Sequence, residues 1–334
     1  MSQGLGWLLY GLAVGLASLL TGQVRRYAER RLMDLPNARS SHRQPTPRGG
    51  GLAIVLVFSL ALAGLAGLGR VPWPLFMALA GFVPLAAIGF VDDHGHVPAR
   101  WRFLVQLAAA VWALAWLGDL SRLTIGGHLL NLGGIGHLLA ALWIVWMINL
   151  FNFMDGIDGI AGLEAMSVAA SAALLAGTDA AVAGPSLALA AATGGFLIWN
   201  WPPAKIFMGD VGSGALGFVL AVLALWSAGQ GTLSLGVWWI LAAVFLVDAT
   251  LTLLIRLGRG ERWYEAHRSH AYQHAARRRG AHRPVTLGVF AINVLWLLPL
   301  AWLAAAHPWL EPVALAMAIL PLALTAYRLG AGRP

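Results

Sequence analysis

The stretch Lys205-Ile206-Phe207-Met208-Gly209-Asp210-Val211-Gly212-Ser213 opens directly onto the apolar run 214–228. A glycine-flanked aspartate, five residues from the only lysine of the chain, thus stands at the mouth of a segment built to cross a bilayer. Outward from it the pattern recurs. Further apolar runs lie at 5–23, 51–69, 73–91, 103–118, 138–154, 160–177, 186–201, 237–255, 286–305 and 313–327. With 59% hydrophobic residues, 11% charged residues and a mean hydropathy of +0.73, the chain is too apolar for a soluble globule. The expectation is an all-α integral membrane protein, a polytopic bundle of about 11 transmembrane helices in a single domain spanning 1–334. No internal repeat is evident, which disfavours an inverted-repeat transporter. The first run lacks a basic leader, so no cleavable signal peptide is expected. With no cysteine, disulfides and thiolate metal sites are excluded.

Charge sets the expected orientation. All of the 22 Lys+Arg except Arg70 and Arg122 fall in alternate connections. The positive-inside rule makes those connections cytoplasmic, with the N-terminus periplasmic and the C-terminus cytoplasmic. The net charge of +8 is therefore read as topology and as affinity for anionic lipid, not for nucleic acid. On the outer side, 123–132 reads as a small hairpin around Gly126-Gly127.

Carboxylates are expensive in such a chain and mark metal, proton or substrate sites. Three clusters at run ends, Asp92-Asp93, Asp155-Gly156-Ile157-Asp158 and Asp210, all fall on the side that charge bias alone assigns to the cytoplasm. Adjacent carboxylates on a helix point about 100° apart. One of Asp92 and Asp93 can therefore meet a cation while the other holds a base such as Arg100 or Arg102. Asn152, Asp155 and Asp158, spaced by three, would share a face if helical. Mg²⁺ prefers one or two carboxylates and keeps positions open for phosphate, which suits Asp210. Lys205 is a point charge for a phosphate oxygen, and Phe207 offers a ring to a base. The plainer reading of each cluster is a helix cap or a solvated bend. His267 and His270 would be neighbours on a helix, but HxxH is weak as a metal motif. Glu164 and Asp248 sit at costly positions, Asp248 with Thr252 and Arg256 on one helical face.

Taken in order, "VDD" at 91–93, "NFMDGIDG" at 152–159, "NWPPAKIFMGD" at 200–210 and "HRSHAYQ" at 267–273 resemble the polyprenyl-phosphate N-acetylhexosamine-1-phosphate transferases, the superfamily of the phospho-MurNAc-pentapeptide translocase. "PNARSSHRQPTPRGGG" at 36–51 looks most like the branch that initiates O-antigen and other surface polysaccharides. The resemblance covers about residues 34–275. It implies ten or eleven helices, an external N-terminus and a place in the bacterial inner membrane with the active site facing the cytoplasm. Together with the residue reading, it makes Asp92, Asp93, Asp155, Asp158 and His270 catalytic candidates. Asn152, Asn200, Lys205, Phe207, His267, Arg268, His42 and Arg48 become substrate-binding candidates, and Asp210 and Asp92 metal candidates. His267 and His270 match the family's histidine motif only in part, since Arg268 and Ser269 replace further histidines.

The implied reaction joins a UDP-N-acetylhexosamine to undecaprenyl phosphate and releases UMP, with Mg²⁺ or Mn²⁺ as cofactor. Partners are the UDP-sugar, undecaprenyl phosphate and membrane lipids; a homodimer is allowed. The rivals are the peptidoglycan phospho-MurNAc-pentapeptide transferase and an ion-coupled transporter. The transporter requires carboxylates near the membrane midplane, where only Asp248 fits. A CDP-alcohol phosphotransferase requires DxxDGxxAR, and Gly162-Leu163 stands where Ala-Arg is needed.

Overall fold

A computed structural model describes residues 3–36, 44–125, 128–261 and 267–333. The chain begins with α1 (Gln3–Arg31), a two-residue ribbon of β1 (Met33–Asp34) with β2 (Thr46–Pro47), and α2 (Gly51–Gly67). It continues through α3 (Trp73–Ala80), α4 (Phe82–His94) and α5 (Ala99–Leu117). Next come β3 (Arg122–Ile125) and β4 (His128–Asn131), paired antiparallel as the hairpin pattern predicts; the glycine pair at their turn lies outside the described residues. The second half holds α6 (Gly134–Phe153), α7 (Ile160–Ala176), α8 (Ala183–Asn200) and α9 (Asp210–Gly229). Then follow α10 (Leu235–Leu241), α11 (Ala243–Gly258), α12 (Ala271–Arg279), α13 (Arg283–Ile292), α14 (Leu298–Ala306) and α15 (Glu311–Leu329).

Among the described residues six helical stretches are long and apolar enough to cross a membrane, and α10 with α11 makes a seventh if that pair, bent by 84°, is one span. This is the all-α, multi-pass character expected. Several apolar runs form shorter or interrupted helices. The 73–91 run divides at Gly81 between α3 and α4, and the 286–305 run contains a π-helical turn, Asn293–Leu297, between α13 and α14. Both α2 and α7 are only 17 residues long.

Helix α9 is the axis of the bundle, almost wholly buried and packed against α4, α6 and α2. Its first residue reaches α4 because Gly89 lets the backbones touch: a Cβ there would stand 2.4 Å from the Asp210 carbonyl oxygen. That crossing brings the Asp92-Asp93 end of α4 to the Asp210 end of α9. The irregular segment 206–208 is stitched to the start of α2, with Phe207 N donating to Pro47 O (2.8 Å) and Gly50 N to Phe207 O (2.9 Å).

Candidate active site

The first N–H groups of a helix have no acceptor within it. In α9 they are met from another helix. Asp93 Oδ1 accepts from Asp210 N (3.1 Å) and Oδ2 from Val211 N (3.3 Å). A carboxylate also suits the positive end of the helix dipole. Asp93 is itself held by Arg48, whose Nε and Nη2 donate to its carbonyl oxygen at 3.2 and 2.9 Å. The preceding Gly209 has φ +76°, and a Cβ there would meet Asp93 Oδ2 at 2.5 Å. Asp93 therefore pins α9 in place.

Asp92 points elsewhere, as adjacent helical residues must. Its Oδ1 accepts from Val97 N (2.7 Å) and its Oδ2 from Arg102 Nη1 (2.9 Å). The same Nη1 donates to Asp210 Oδ2 (3.0 Å), while Asn152 Nδ2 donates to Asp210 Oδ1 (2.8 Å). Arg102, rather than Arg100, is thus the base beside the pair. Asp92 is a neighbour of Asp210, joined to it through Arg102, and does not line the cavity described next.

A cavity of about 240 Å³ opens between α4, α6, α8 and α9. Of the anticipated residues it collects Arg48, Asp93, Asn152, Asp155, Asp158, Asn200, Phe207 and Asp210. The helical spacing expected for Asn152, Asp155 and Asp158 does not persist: α6 ends at Phe153, and left-handed Gly159 (φ +74°) caps α7. The three converge because the 154–159 turn folds over the cavity. Gly156 allows this, since a Cβ there would stand 2.2 Å from Tyr272 Oη. Asn200 is buried, its Oδ1 accepting from Gly159 N (3.0 Å) and its Nδ2 donating to Ile206 O (2.9 Å); it ties the two loops together.

Asp155 stands apart. Among the described residues its half-buried carboxylate has no hydrogen-bond or ion-pair partner. Burial first, then the charges of Asp210, Asp93 and Asp158, push its pKa well above the ordinary carboxylate range. Among the described residues no three His, Cys, Asp or Glu side chains form a complete protein-only metal site. Mg²⁺ asks for less than that, taking one or two carboxylates and completing its shell with water and phosphate. An uncompensated carboxylate facing other acids fits such an ion.

Other expected residues lie outside this cavity. The Lys205 ammonium sits 5.5 Å from the Trp199 ring centroid. His270 is buried at the start of α12, Nδ1 3.3 Å from Asp248 Oδ1, and Asp248 also accepts from Ala271 N and Tyr272 N at 2.9 Å each. His270 therefore belongs to the cap of α12. Segment 267–270 is not helical, yet the His267 and His270 rings stack at 4.9 Å. His267 and Arg268 line a separate cavity of about 500 Å³ with His274, Arg277 and Arg333. His42 lies outside the described residues.

Three cavity residues went unread in the sequence: Asp34, Gln273 and His282. Only Gln273 carried a local signal. It stands three residues after His270 and accepts from His270 N, the reach-back of a capping box.

The model of glycosyl transferase family 4 matches residues 75–228, which include the α4 aspartates, the 154–159 turn and Asp210. A phospho-N-acetylmuramoyl-pentapeptide-transferase of Moorella thermoacetica is 31% identical over 64% of this chain and 69% of its own length. The chain belongs to this family. It is also 28% identical, over 84% of this chain and 79% of the relative, to a protein of Bacillus subtilis named "Probable undecaprenyl-phosphate N-acetylglucosaminyl 1-phosphate transferase". As a member of glycosyl transferase family 4 the protein is a transferase, and the matched region supplies most of the cavity lining, with Asp34, Arg48, Gln273 and His282 added from outside it.

Proposed function

We propose that this protein transfers N-acetylhexosamine 1-phosphate from a UDP-sugar to undecaprenyl phosphate and releases UMP, initiating a lipid-linked surface glycan such as O-antigen. The observation that carries the reading is the polar cavity at the mouth of the buried helix α9, where Asp155, unpartnered among the described residues, shares space with Asp210 and Phe207. The two named relatives support the same chemistry. A second reading, the peptidoglycan phospho-MurNAc-pentapeptide reaction, is favoured by the Moorella relative. Transport is less well supported, because Asp248, its one midplane candidate, already accepts four hydrogen bonds.

In this reading eleven spans leave the N-terminus periplasmic and the cavity open to the cytoplasm of the inner membrane. A lipid phosphate oxygen attacks the β-phosphorus, the bond from that phosphorus to the bridging oxygen breaks, and UMP departs with the electron pair. Catalysis here is positioning and charge stabilisation. Mg²⁺, when bound, neutralises the diphosphate, and Asp155 with Asp210 would hold it. A phosphate monoester is already largely deprotonated at neutral pH, so no strong base is required of Asp92 or Asp93. Arg102 and Asn152 keep Asp210 in place, Asp93 anchors the helix beneath it, and Phe207 stacks on the base.

The experiment is UMP release from UDP-N-acetylglucosamine and other UDP-N-acetyl sugars by purified protein with undecaprenyl phosphate. Release that requires Mg²⁺ and stops with EDTA is expected; no release with any donor would remove the reading. In the same assay Lys205→Ala should stay within about threefold of wild type, because an ammonium resting on an indole outside the cavity adds little.

A further inference from the structure

Within one short turn two carboxylates are treated in opposite ways. Asp155 has no partner among the described residues, whereas Asp158, three positions on, is gripped from three sides. Its Oδ2 accepts from Ala204 N (3.1 Å), in the loop leading to Asp210. Its carbonyl oxygen accepts from Thr286 Oγ1 (2.8 Å) on α13. Its Oδ1 lies 3.1 Å from Nδ1 of His282, the residue immediately before α13. His282 and Thr286 are four apart, so the first turn of α13 presents both to the same residue.

His282 Nδ1 also lies 3.3 Å from the Asp158 amide N. One imidazole nitrogen cannot donate to the carboxylate and accept from the amide at once. Either tautomer nevertheless ties the ring to Asp158: protonated, Nδ1 donates to Oδ1; bare, it accepts the amide proton. Each carboxylate oxygen has about two acceptor sites, so both keep capacity after these bonds. A fixed, negative, half-satisfied acceptor in the cavity wall suits an N–H or O–H donor, and repels a diphosphate. His282 lines the same cavity, its side chain only 18% exposed.

We infer that His282 is a positioning residue: acting through Asp158, it fixes the acceptor that holds the nucleoside half of the sugar donor. The inference rests on the proposed reading that a UDP-sugar occupies this cavity. It also explains why a histidine 124 residues away in sequence closes on the 154–159 turn.

The test is calorimetric titration of purified full-length protein with UDP, alongside steady-state kinetics. His282→Ala should weaken UDP binding and raise KM for the UDP-sugar about tenfold, the worth of one positioned hydrogen bond to a charged group. KM for undecaprenyl phosphate should not move. His282→Asn should stay within about threefold of wild type, because an amide donates and accepts together and serves both contacts. If His282→Ala does not fold, His282→Leu, which retains the bulk, replaces it with the same expectation. UDP affinity unchanged in the Ala or Leu variant, or weakened equally in His282→Asn, would overturn the role of His282 alone. Wild-type protein that fails to bind UDP would overturn the inference together with the reading beneath it.

Discussion

Asp155→Asn is expected to make the protein more stable and nearly inactive. Among the described residues the Asp155 carboxylate has no partner, and its pKa is raised by burial and by Asp210, Asp93 and Asp158. An amide of the same shape removes that repulsion. The gain should be about 1–2 kcal/mol, a rise of a few degrees in the thermal midpoint in detergent. Turnover should fall by about 10²–10³-fold, the usual loss when a group that organises transition-state charge is removed. The pH dependence has a definite sign. A carboxyl whose folded pKa lies above its unfolded value contributes most stability below that unfolded value, near 4, and the contribution is lost as pH rises through the folded one. Wild-type stability should therefore decline from mildly acidic towards neutral and alkaline pH, and Asp155→Asn should flatten the decline. Mg²⁺ should raise the wild-type midpoint more at pH 8 than at pH 5 and should do less for the variant. A destabilised variant, or an unchanged Mg²⁺ response, would show that Asp155 is not the uncompensated acid described.

Gly209→Ala is expected to damage stability and turnover together. The residue has φ +76°, which costs a side chain about 1 kcal/mol, and its Cβ would stand within 2.5 Å of Asp93 Oδ2 and 2.8 Å of Oδ1. Asp93 must then leave the N–H groups of Asp210 and Val211. Losing two bonds to a buried charged acceptor brings the expected cost to about 3 kcal/mol or more. Asp210 rides on that first turn, so turnover should drop at least about 100-fold even in the fraction that folds. Asp93→Asn should fall between this variant and wild type, since one amide oxygen still accepts. Circular dichroism melting and UMP release on the same preparations would check it. A Gly209→Ala protein of wild-type midpoint and activity would mean that the Asp93 pin is unimportant.

What the sequence disclosed follows from how local each signal is. Apolar runs report burial in lipid directly, so the all-α membrane architecture was legible. Their breaks were not: the bend at Ala242 and the π turn after Ile292 occur where α10, α14 and α15 pack together, and no residue pattern in the runs marks them. Asp93, Asp155, Asp158 and Asp210 could be picked out because charge is rare in such a chain, and Asn152 by its spacing from the two middle aspartates. Their joint face could not be read from a spacing of three, since the helix stops at Phe153 and a turn unites them. Lys205 misleads for a related reason: the chain turns back after α8, so its ammonium lies over the Trp199 ring six residues earlier, outside the cavity. His282 was invisible because its contact with Asp158 arises from the docking of α13 onto the 154–159 turn, which no local pattern signals.

The central claim is that a sugar phosphate moves, not a sugar alone. The most direct measurement uses UDP-N-acetylglucosamine, or whichever UDP-N-acetyl sugar supports release, labelled at the β-phosphorus. Products formed with undecaprenyl phosphate and Mg²⁺ are then separated into lipid and water phases. Label in the lipid, with unlabelled UMP in the water, is the predicted result. Label released in water as UDP would mean that the sugar–oxygen bond breaks, and would contradict the account.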